Sequence, residues 1–183
     1  MRIAVDLDST LSSFIDAWLK WYNEEYGTVV VPEDITNWGI HEHVPHGTAI
    51  YDFFDVPGAI VNVEIEPYAH SVMSWLQHNN HDVYIVSSVV RDEHYGEKKL
   101  WVRKHLPFFD MRRFIACSSK EVVLADVMLD DGLHNLAVFE GVRVIYDQPW
   151  NQKIPEHVAG WQWDRVHSWL EFKEYIREIA PTL

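Results

Sequence analysis

The chain has 183 residues, 48% of them apolar, with 15 basic and 28 acidic side chains and a net charge of −13. This length suits one domain with a sizeable core plus a modest insertion, and the apolar content argues against disorder. The negative charge opposes binding to long nucleic-acid polymers but is compatible with binding of a small phosphorylated ligand. Because no apolar run reaches the length of a membrane span and no signal-peptide pattern precedes the first strand, we expect a soluble, cytoplasmic protein.

The first predicted strand, residues 3–5, ends in Asp6-Leu7-Asp8-Ser9-Thr10. Open α/β sheets place ligands at the carboxyl ends of their strands, where both carboxylates can turn toward one point. One carboxylate could attack phosphorus while the other transfers a proton. The alternative is a turn that caps the next helix, and this pentapeptide alone favours neither interpretation over the other.

Strands and helices alternate along the rest of the chain, apart from one irregular stretch. Apolar residues recur at helical spacing over residues 12–26, whereas residues 27–66 are interrupted by proline and glycine. Beyond it the pattern predicts helices at 68–79, 94–106, 133–139 and 168–179, and strands at 82–87, 113–117, 127–130 and 142–146. This alternation predicts an α/β fold with a Rossmann-like parallel sheet and helices on both faces.

A second pair of acids follows another apolar strand. Val127-Met128-Leu129 ends in Asp130-Asp131. Acids at the ends of two buried strands repel one another unless a cation lies between them. Since all the candidate ligands are oxygens, they suit Mg²⁺ better than Zn²⁺.

Groups that could bind phosphate lie between the two acidic pairs. The strand 82–87 ends at Ser87 and is followed by Ser88, which places two hydroxyls at the same edge of the sheet. Lys120, ten residues before Asp130, can supply a positive charge for phosphate. Taken singly, such a lysine is usually a solvated surface charge and such a serine usually a cap.

The order of these motifs resembles that of the haloacid dehalogenase-like phosphatase superfamily. Four further segments, residues 51–58, 66–69, 100–106 and 120–131, resemble the 5'(3')-deoxyribonucleotidase family, and the resemblance runs from residue 2 to about residue 147. It implies a haloacid dehalogenase-like core domain, residues 1–16 and 67–183, and a small helical cap, residues 17–66, over the active site. Two positions depart from the family pattern: Ser9 stands where the family usually has glycine, and Ser87 where it often has threonine.

Catalytic roles follow from the resemblance. It implies that Asp6 is the nucleophile that forms an aspartyl phosphate, and that Asp8 is the acid for the leaving oxygen and the base for water. The metal ligands it implies are Asp6, the backbone carbonyl of Asp8, and the pair Asp130 and Asp131, with Asp131 as the direct ligand. Ser87 and Lys120 would hold the phosphoryl group.

Substrate contacts are implied in the same way. Phe14, Trp38 and Phe54 occupy positions where the family places aromatics against the base, although a helical phenylalanine such as Phe14 is otherwise more often part of the core. Ser88 would touch the substrate, and Arg91 would be a second cation.

The other candidate groups have simpler readings. His41, His43 and His46 lack the helical spacing of a zinc enzyme, so we interpret them as residues of the cap surface. We interpret the single Cys117 as a small buried hydrophobic residue.

We therefore expect a Mg²⁺-dependent phosphomonoesterase acting on a nucleoside monophosphate, preferably a pyrimidine deoxyribonucleotide. Two alternatives stay open: a phosphatase for another small metabolite, such as a sugar phosphate or phosphoserine, and a nucleotide-binding module without turnover. The expected partner is this small substrate, with no nucleic-acid polymer and no membrane. The sequence leaves the oligomeric state open, a homodimer included.

Overall fold

A six-stranded parallel sheet forms the centre of the protein, whose computed structural model describes residues 1–155, 157–158 and 161–180. The strands are β1 (Arg2–Val5), β2 (Asp82–Ser87), β3 (Phe114–Ala116), β4 (Val127–Asp130), β5 (Val142–Tyr146), β6 (His157–Val158), β7 (Trp161–Gln162) and β8 (Asp164–Val166). The sheet has the order β3-β2-β1-β4-β5-β8, and β6 and β7 form a separate antiparallel pair. The predicted parallel sheet is thus confirmed, whereas β6, β7 and β8 were not predicted.

The described residues contain five α-helices, and each lies within two residues of its predicted bounds. They are α1 (Phe14–Tyr26), α2 (Ala69–His78), α3 (Asp92–His105), α4 (Leu133–Val138) and α5 (Trp169–Ile179). Helix α1 ends at Gly27, whose φ of +64° lets the backbone turn out of the helix without steric cost. None of the helices in the described part of the chain is long and apolar enough to cross a bilayer.

Helices cover both faces of the sheet. On one face, strand residues such as Ile3 and Leu129 pack in a cluster with α2, α3 and α5, represented by Met73, Trp101 and Phe172. On the other face, a smaller cluster joins strand and helix residues: Ala4, Met128, Ile145 and Leu136 of α4, together with Phe139 and Trp163. Alternate residues of one strand therefore enter different cores, as the two-residue period of a strand requires.

The segment between α1 and α2 contains three 3₁₀ helices, Pro32–Asp34, Ile40–Glu42 and Gly47–Asp55. A third apolar cluster joins this segment to α1; it comprises Ile15, Leu19, Tyr22, Val30, Ile35, Ile40, Val44, Ile50 and Trp150. The two ends of this part of the chain lie side by side, because Ser13 N donates to Glu64 O at 3.0 Å. The division into a core of residues 1–16 and 67–183 and a cap of residues 17–66 stays a prediction.

The pairing of β1 with both of its neighbours sets the position of the site. Val5 lies beside Ile85 of β2 and Leu129 of β4, and Asp6 N donates to Leu129 O at 2.9 Å. Since the three strands are parallel, the residues that follow them emerge at one edge of the sheet.

Candidate active site

The chain reverses within one turn after β1. The backbone N–H groups of Leu11 and Ser12 both donate to the carbonyl of Leu7, at 3.0 and 2.9 Å. Ser9 has a φ of +56°, in the left-handed region that costs a residue with a Cβ about 1–2 kcal/mol. This conformation gives a physical reason for a preference for glycine at this position. Gln148 Nε2 supports the turn by donating to Ser9 O at 2.7 Å.

Three buried carboxylates, Asp6, Asp130 and Asp131, form an acid cluster at the edge of the sheet. Each offers an oxygen, and these oxygens all lie within 4.8 Å of one another. Asp130 is held in place because its Oδ1 accepts hydrogen bonds from Gly132 N at 2.8 Å and Asn135 Nδ2 at 3.0 Å. An all-oxygen set of this kind fits a hard divalent cation such as Mg²⁺.

Lys120 is the cation that the structure places against the acid cluster. Its ammonium contacts Asp6 Oδ1 and lies 2.6 Å from Asp130 Oδ2, and the side chain is only 2% exposed. Burial alone would lower the pKa of Lys120, but the carboxylates of Asp6 and Asp130 outweigh it and raise the pKa above its ordinary value. Lys120 is therefore charged at every physiological pH.

One lysine does not compensate the acid cluster. Burial, with the neighbouring charges of Asp130 and Asp8, raises the pKa of Asp6 to about 7 in spite of Lys120. The pKa of Asp131 is also raised, by burial first and then by Asp6 and Asp130. In both residues burial is the largest cause of the raised pKa, and the neighbouring carboxylates add to it. A bound divalent cation would stabilise the ionised forms and lower both pKa values.

Asp8 points to a second buried lysine. Lys98 of α3 donates to Asp8 Oδ2 at 2.5 Å, to Ser87 Oγ at 2.9 Å and to the Ser88 carbonyl at 2.6 Å. The structure thus brings together Asp8 and the two serines that the sequence placed at this edge. The link between them is a residue that the sequence did not single out.

A cavity of about 520 Å³ opens above these groups. Asp6, Asp8, Ser88 and Asp131 line one end of it. Its remaining wall is mostly apolar and aromatic and includes Phe14, Ile15, Trp18, Ile35, Trp38, Ile40, Tyr51, Phe54 and Trp150. A phosphate at the acidic end would leave the attached group among aromatic rings.

The three predicted base contacts line this cavity, but their environments differ. Phe14 is 5% exposed and packs against the rings of Trp18 and Phe53, each at 5.7 Å between centroids. Trp38 is 58% exposed and meets the ring of His134 edge-on at 4.7 Å. Phe14 is therefore a core residue that also faces the cavity, whereas Trp38 is a free aromatic surface.

Comparison with known proteins agrees with this arrangement. The family model described as "5' nucleotidase, deoxy (Pyrimidine), cytosolic type C protein" matches residues 1–180. The chain belongs to this family. It is 31% identical to a 5'(3')-deoxyribonucleotidase of Clostridium acetobutylicum over 99% of this chain and 97% of the relative. It is 26% identical to a 5'(3')-deoxyribonucleotidase of Bacillus subtilis, over 90% of this chain and 95% of the relative.

Solved structures show the same fold at low identity. A HAD family hydrolase of Deinococcus radiodurans with bound phosphate and sodium aligns with a TM-score of 0.67 at 13% identity, covering 98% of this chain and 96% of that one. A HAD-hydrolase of Bacillus subtilis bound to magnesium aligns with a TM-score of 0.59 at 14% identity, covering 96% of this chain and 97% of that one. The resemblance read from the sequence is confirmed, and this 5' nucleotidase family member is a phosphoric monoester hydrolase.

The candidate site also contains hydrogen bonds to Asp131 from residues that the sequence did not predict. They come from the loop after β5, a segment without a recognisable motif. Trp150 Nε1 donates to Asp131 Oδ2 at 3.0 Å, and Asn151 Nδ2 donates to the Asp131 carbonyl at 3.0 Å. The only available signal was position, since this loop also follows the carboxyl end of a central strand.

Lys98 was missed for a different reason, although a signal existed. Helix α3 buries His94, Lys98, Trp101 and Val102, which recur at helical spacing. A lysine in the middle of a buried helix face is rare unless it is paired. This spacing is the signal that could have identified Lys98 as a buried residue, but it does not indicate which group Lys98 contacts.

The structure also shows the surroundings of Arg91, Cys117 and the three histidines of the predicted cap. Arg91 lines the cavity, but its guanidinium is engaged by Asp55 in an exposed ion pair. Cys117 is half-buried rather than buried, so that expectation was wrong; its thiol donates to the Ser119 carbonyl at 3.1 Å. The described residues contain one group of candidate metal ligands, the acid cluster, and His41, His43 and His46 are outside it.

Proposed function

We propose that the protein is a Mg²⁺-dependent 5'(3')-deoxyribonucleotidase that hydrolyses nucleoside monophosphates, with a preference for pyrimidine deoxyribonucleotides. The observation that carries the proposal is the junction of two environments in one cavity. Asp6 and Asp131 of the acid cluster line its floor, with Lys120 buried against Asp6, and these groups suit a phosphate and a metal. Its wall is aromatic, which suits a base. The family and the names of the relatives support this substrate class.

We assign the metal to Asp6, Asp131 and the backbone carbonyl of Asp8. Asp130 would act through water or by orienting the site. Its carboxylate is already occupied, because Oδ1 accepts two hydrogen bonds and Oδ2 accepts Lys120. Among the described residues the Asp131 carboxylate accepts only Trp150 and a long 3.4 Å contact from Thr10, which leaves it lone pairs for a cation. When bound, Mg²⁺ would supply neutralisation of the phosphoryl oxygens.

The proposed reaction uses two carboxylates in turn. Asp6 attacks phosphorus and forms an aspartyl phosphate, while the bond from phosphorus to the sugar oxygen breaks and Asp8 protonates that oxygen. Asp8 then removes a proton from water, which attacks the aspartyl phosphate and releases inorganic phosphate and Asp6. Lys120 stabilises the charge on the transferring group, with Ser87 and Ser88 beside it.

We further propose that residues 17–66 act as a cap that supplies the base-binding wall. Trp38 and Phe54 lie in this segment, and Phe14 lies at the start of α1, where the core continues into it. In this arrangement the core carries the phosphoryl chemistry, whereas the cap selects the base.

The test is phosphate release by the purified protein from a panel of monoesters at equal concentration. The panel contains deoxyuridine and thymidine 5'- and 3'-monophosphates, their ribose counterparts, purine nucleotides, ribose 5-phosphate and phosphoserine. We expect the highest kcat/KM for pyrimidine deoxyribonucleotides, loss of turnover with EDTA, and recovery with added Mg²⁺. A higher kcat/KM for a base-free phosphate would contradict the nucleotidase assignment, and undiminished turnover in EDTA would contradict the metal.

A further inference from the structure

Lys98 is the buried charged group to which the proposed reaction gives no task. It lies on the inner face of α3 and is 4% exposed. An ammonium has three N–H donors, and Lys98 has three acceptors: Asp8 Oδ2 at 2.5 Å, Ser87 Oγ at 2.9 Å and the Ser88 carbonyl at 2.6 Å. No donor is left over for a substrate phosphate.

Lys120 shows the contrasting arrangement. Among the described residues its ammonium has two acceptors, Asp6 Oδ1 and Asp130 Oδ2, so one donor stays available for a phosphoryl oxygen. The two buried lysines therefore differ in function. Lys120 can bind the transferring group directly, whereas Lys98 can act on the reaction only through the protein groups that it holds.

The two oxygens of Asp8 are unequal. Oδ2 accepts Lys98, while Oδ1 is buried and has no hydrogen-bond partner in the described structure. A buried carboxylate oxygen without a partner is unfavourable, so it marks a position where a donor is expected. Asp8 itself lines the cavity, so its carboxyl group lies at the edge of the space that a substrate would occupy.

We propose that Lys98 is a positioning residue that holds the Asp8 carboxyl group beside the cavity through Oδ2, where it can exchange a proton with the reacting group. The proposal rests on the proposed nucleotidase function. In the first step the proton of the Asp8 carboxyl group passes to the sugar oxygen as its bond to phosphorus breaks. In the second step the Asp8 carboxylate takes a proton from the water that attacks the aspartyl phosphate.

Helix α3 is itself held rigidly, which keeps Lys98 in place. Glu97 accepts the N–H groups of Gly58 and Ile60 at 2.9 and 3.1 Å. One turn further, Trp101 Nε1 donates to the Val63 carbonyl at 2.7 Å. The residues around Lys98 therefore anchor the helix to the end of the segment that we propose as the cap.

The first experiment compares two substrates on Lys98→Met. A nucleoside monophosphate has a poor leaving group that needs the acid, whereas 4-nitrophenyl phosphate has a good one that does not. We measure kcat/KM, which covers the steps through departure of the first product. We expect a loss of about 100-fold for the nucleotide, at the low end of the range for acid catalysis, and of less than about fivefold for the aryl phosphate.

The ratio of the two values does not depend on the folded fraction, so partial unfolding of the variant cannot produce the expected result. The matched control is Lys99→Met, which removes the same charge from the next residue of α3. Lys99 stacks on the Tyr95 ring at 4.9 Å rather than reaching the site. The ratio of the two kcat/KM values for Lys99→Met should equal that of the wild type. Equal losses on both substrates in Lys98→Met would overturn the proposal.

A double-mutant cycle tests whether Lys98 acts through Asp8. Phenyl phosphate, with a leaving group of intermediate quality, keeps the rates measurable. If Lys98 acts through Asp8, adding Lys98→Met to Asp8→Asn should change kcat/KM by less than about twofold. Additive losses would overturn the proposal. Wild-type protein without activity on any nucleotide would instead overturn the nucleotidase function, so the two failures are distinguishable.

Discussion

Trp38→Ala tests whether the cavity wall recognises a base. Trp38 is 58% exposed, so about two fifths of its surface is buried in the protein. Full burial of a large aromatic contributes about 3–5 kcal/mol against alanine, and two fifths of that is about 1–2 kcal/mol of folding free energy. The variant should therefore stay folded at assay temperature.

Loss of the ring should be visible in turnover of the nucleotide. Stacking between a base and an aromatic side chain is worth about 1–3 kcal/mol, which corresponds to about 5- to 150-fold in kcat/KM. Ribose 5-phosphate has no base, and its kcat/KM should change by less than about twofold. The control is Tyr68→Ala, which removes an aromatic of similar exposure, 60%, at the start of α2.

Phe14→Ala supplies the opposite pattern. Phe14 is 5% exposed in the main core, so its removal should cost about 3–5 kcal/mol of stability and lower activity on every substrate alike. Thermal unfolding and the two substrates are measured on each variant. If Trp38→Ala also loses activity equally on nucleotide and base-free phosphate, the stacking wall is refuted and a phosphatase for a small metabolite is favoured.

Three further predictions concern the acidic end of the cavity. Asp6→Asn should fold but lose all measurable phosphatase activity, and Mg²⁺ should raise its Tm by less than it raises that of the wild type, because an amide is neither nucleophile nor anionic ligand. Turnover within tenfold of wild type would contradict the covalent role. Asp8→Asn should keep more of that Mg²⁺-induced rise than Asp6→Asn does, and should lose kcat/KM mainly on poor leaving groups. Equal losses on aryl phosphate and nucleotide would remove Asp8 as the acid. Trp150→Phe keeps a ring beside Trp38 but loses the hydrogen bond to Asp131. The Mg²⁺ concentration for half-maximal stabilisation should therefore rise about tenfold. An unchanged Mg²⁺ titration would show that the indole N–H does not support the metal.

Local sequence predicted the parts of the site that the backbone alone determines. Asp6 and Asp130 each end or follow an apolar strand, and parallel strands bring their carboxyl ends to one edge whatever the side-chain packing. The position of Lys120 before Asp130 also marked that lysine, which contacts Asp6. The family resemblance added Trp38 and Phe54, which line the cavity. These residues could be located without knowing any long-range contact.

Residues whose roles depend on packing could not be located in this way. Lys98 reaches Asp8 only because α3 lies against the main core, and Trp150 reaches Asp131 only because the loop after β5 folds back over the site. Strand β8, Asp164–Val166, has three residues and no alternating pattern, and it is stabilised by pairing with β5 at the edge of the sheet. Such short elements are defined by their neighbours rather than by their own sequence.

The charges at the site become interpretable once Lys98 is included. Four carboxylates, Asp6, Asp8, Asp130 and Asp131, meet two ammonium groups, Lys98 and Lys120, which leaves two negative charges uncompensated when all six groups are ionised. A monovalent cation would leave one of them, whereas a divalent cation balances the set before a phosphate dianion enters. Lys98→Met would leave a third negative charge at the site uncompensated, without removing a candidate ligand. With all six groups ionised, the charge count therefore supports a divalent cation at the acid cluster, independently of the family to which the chain belongs.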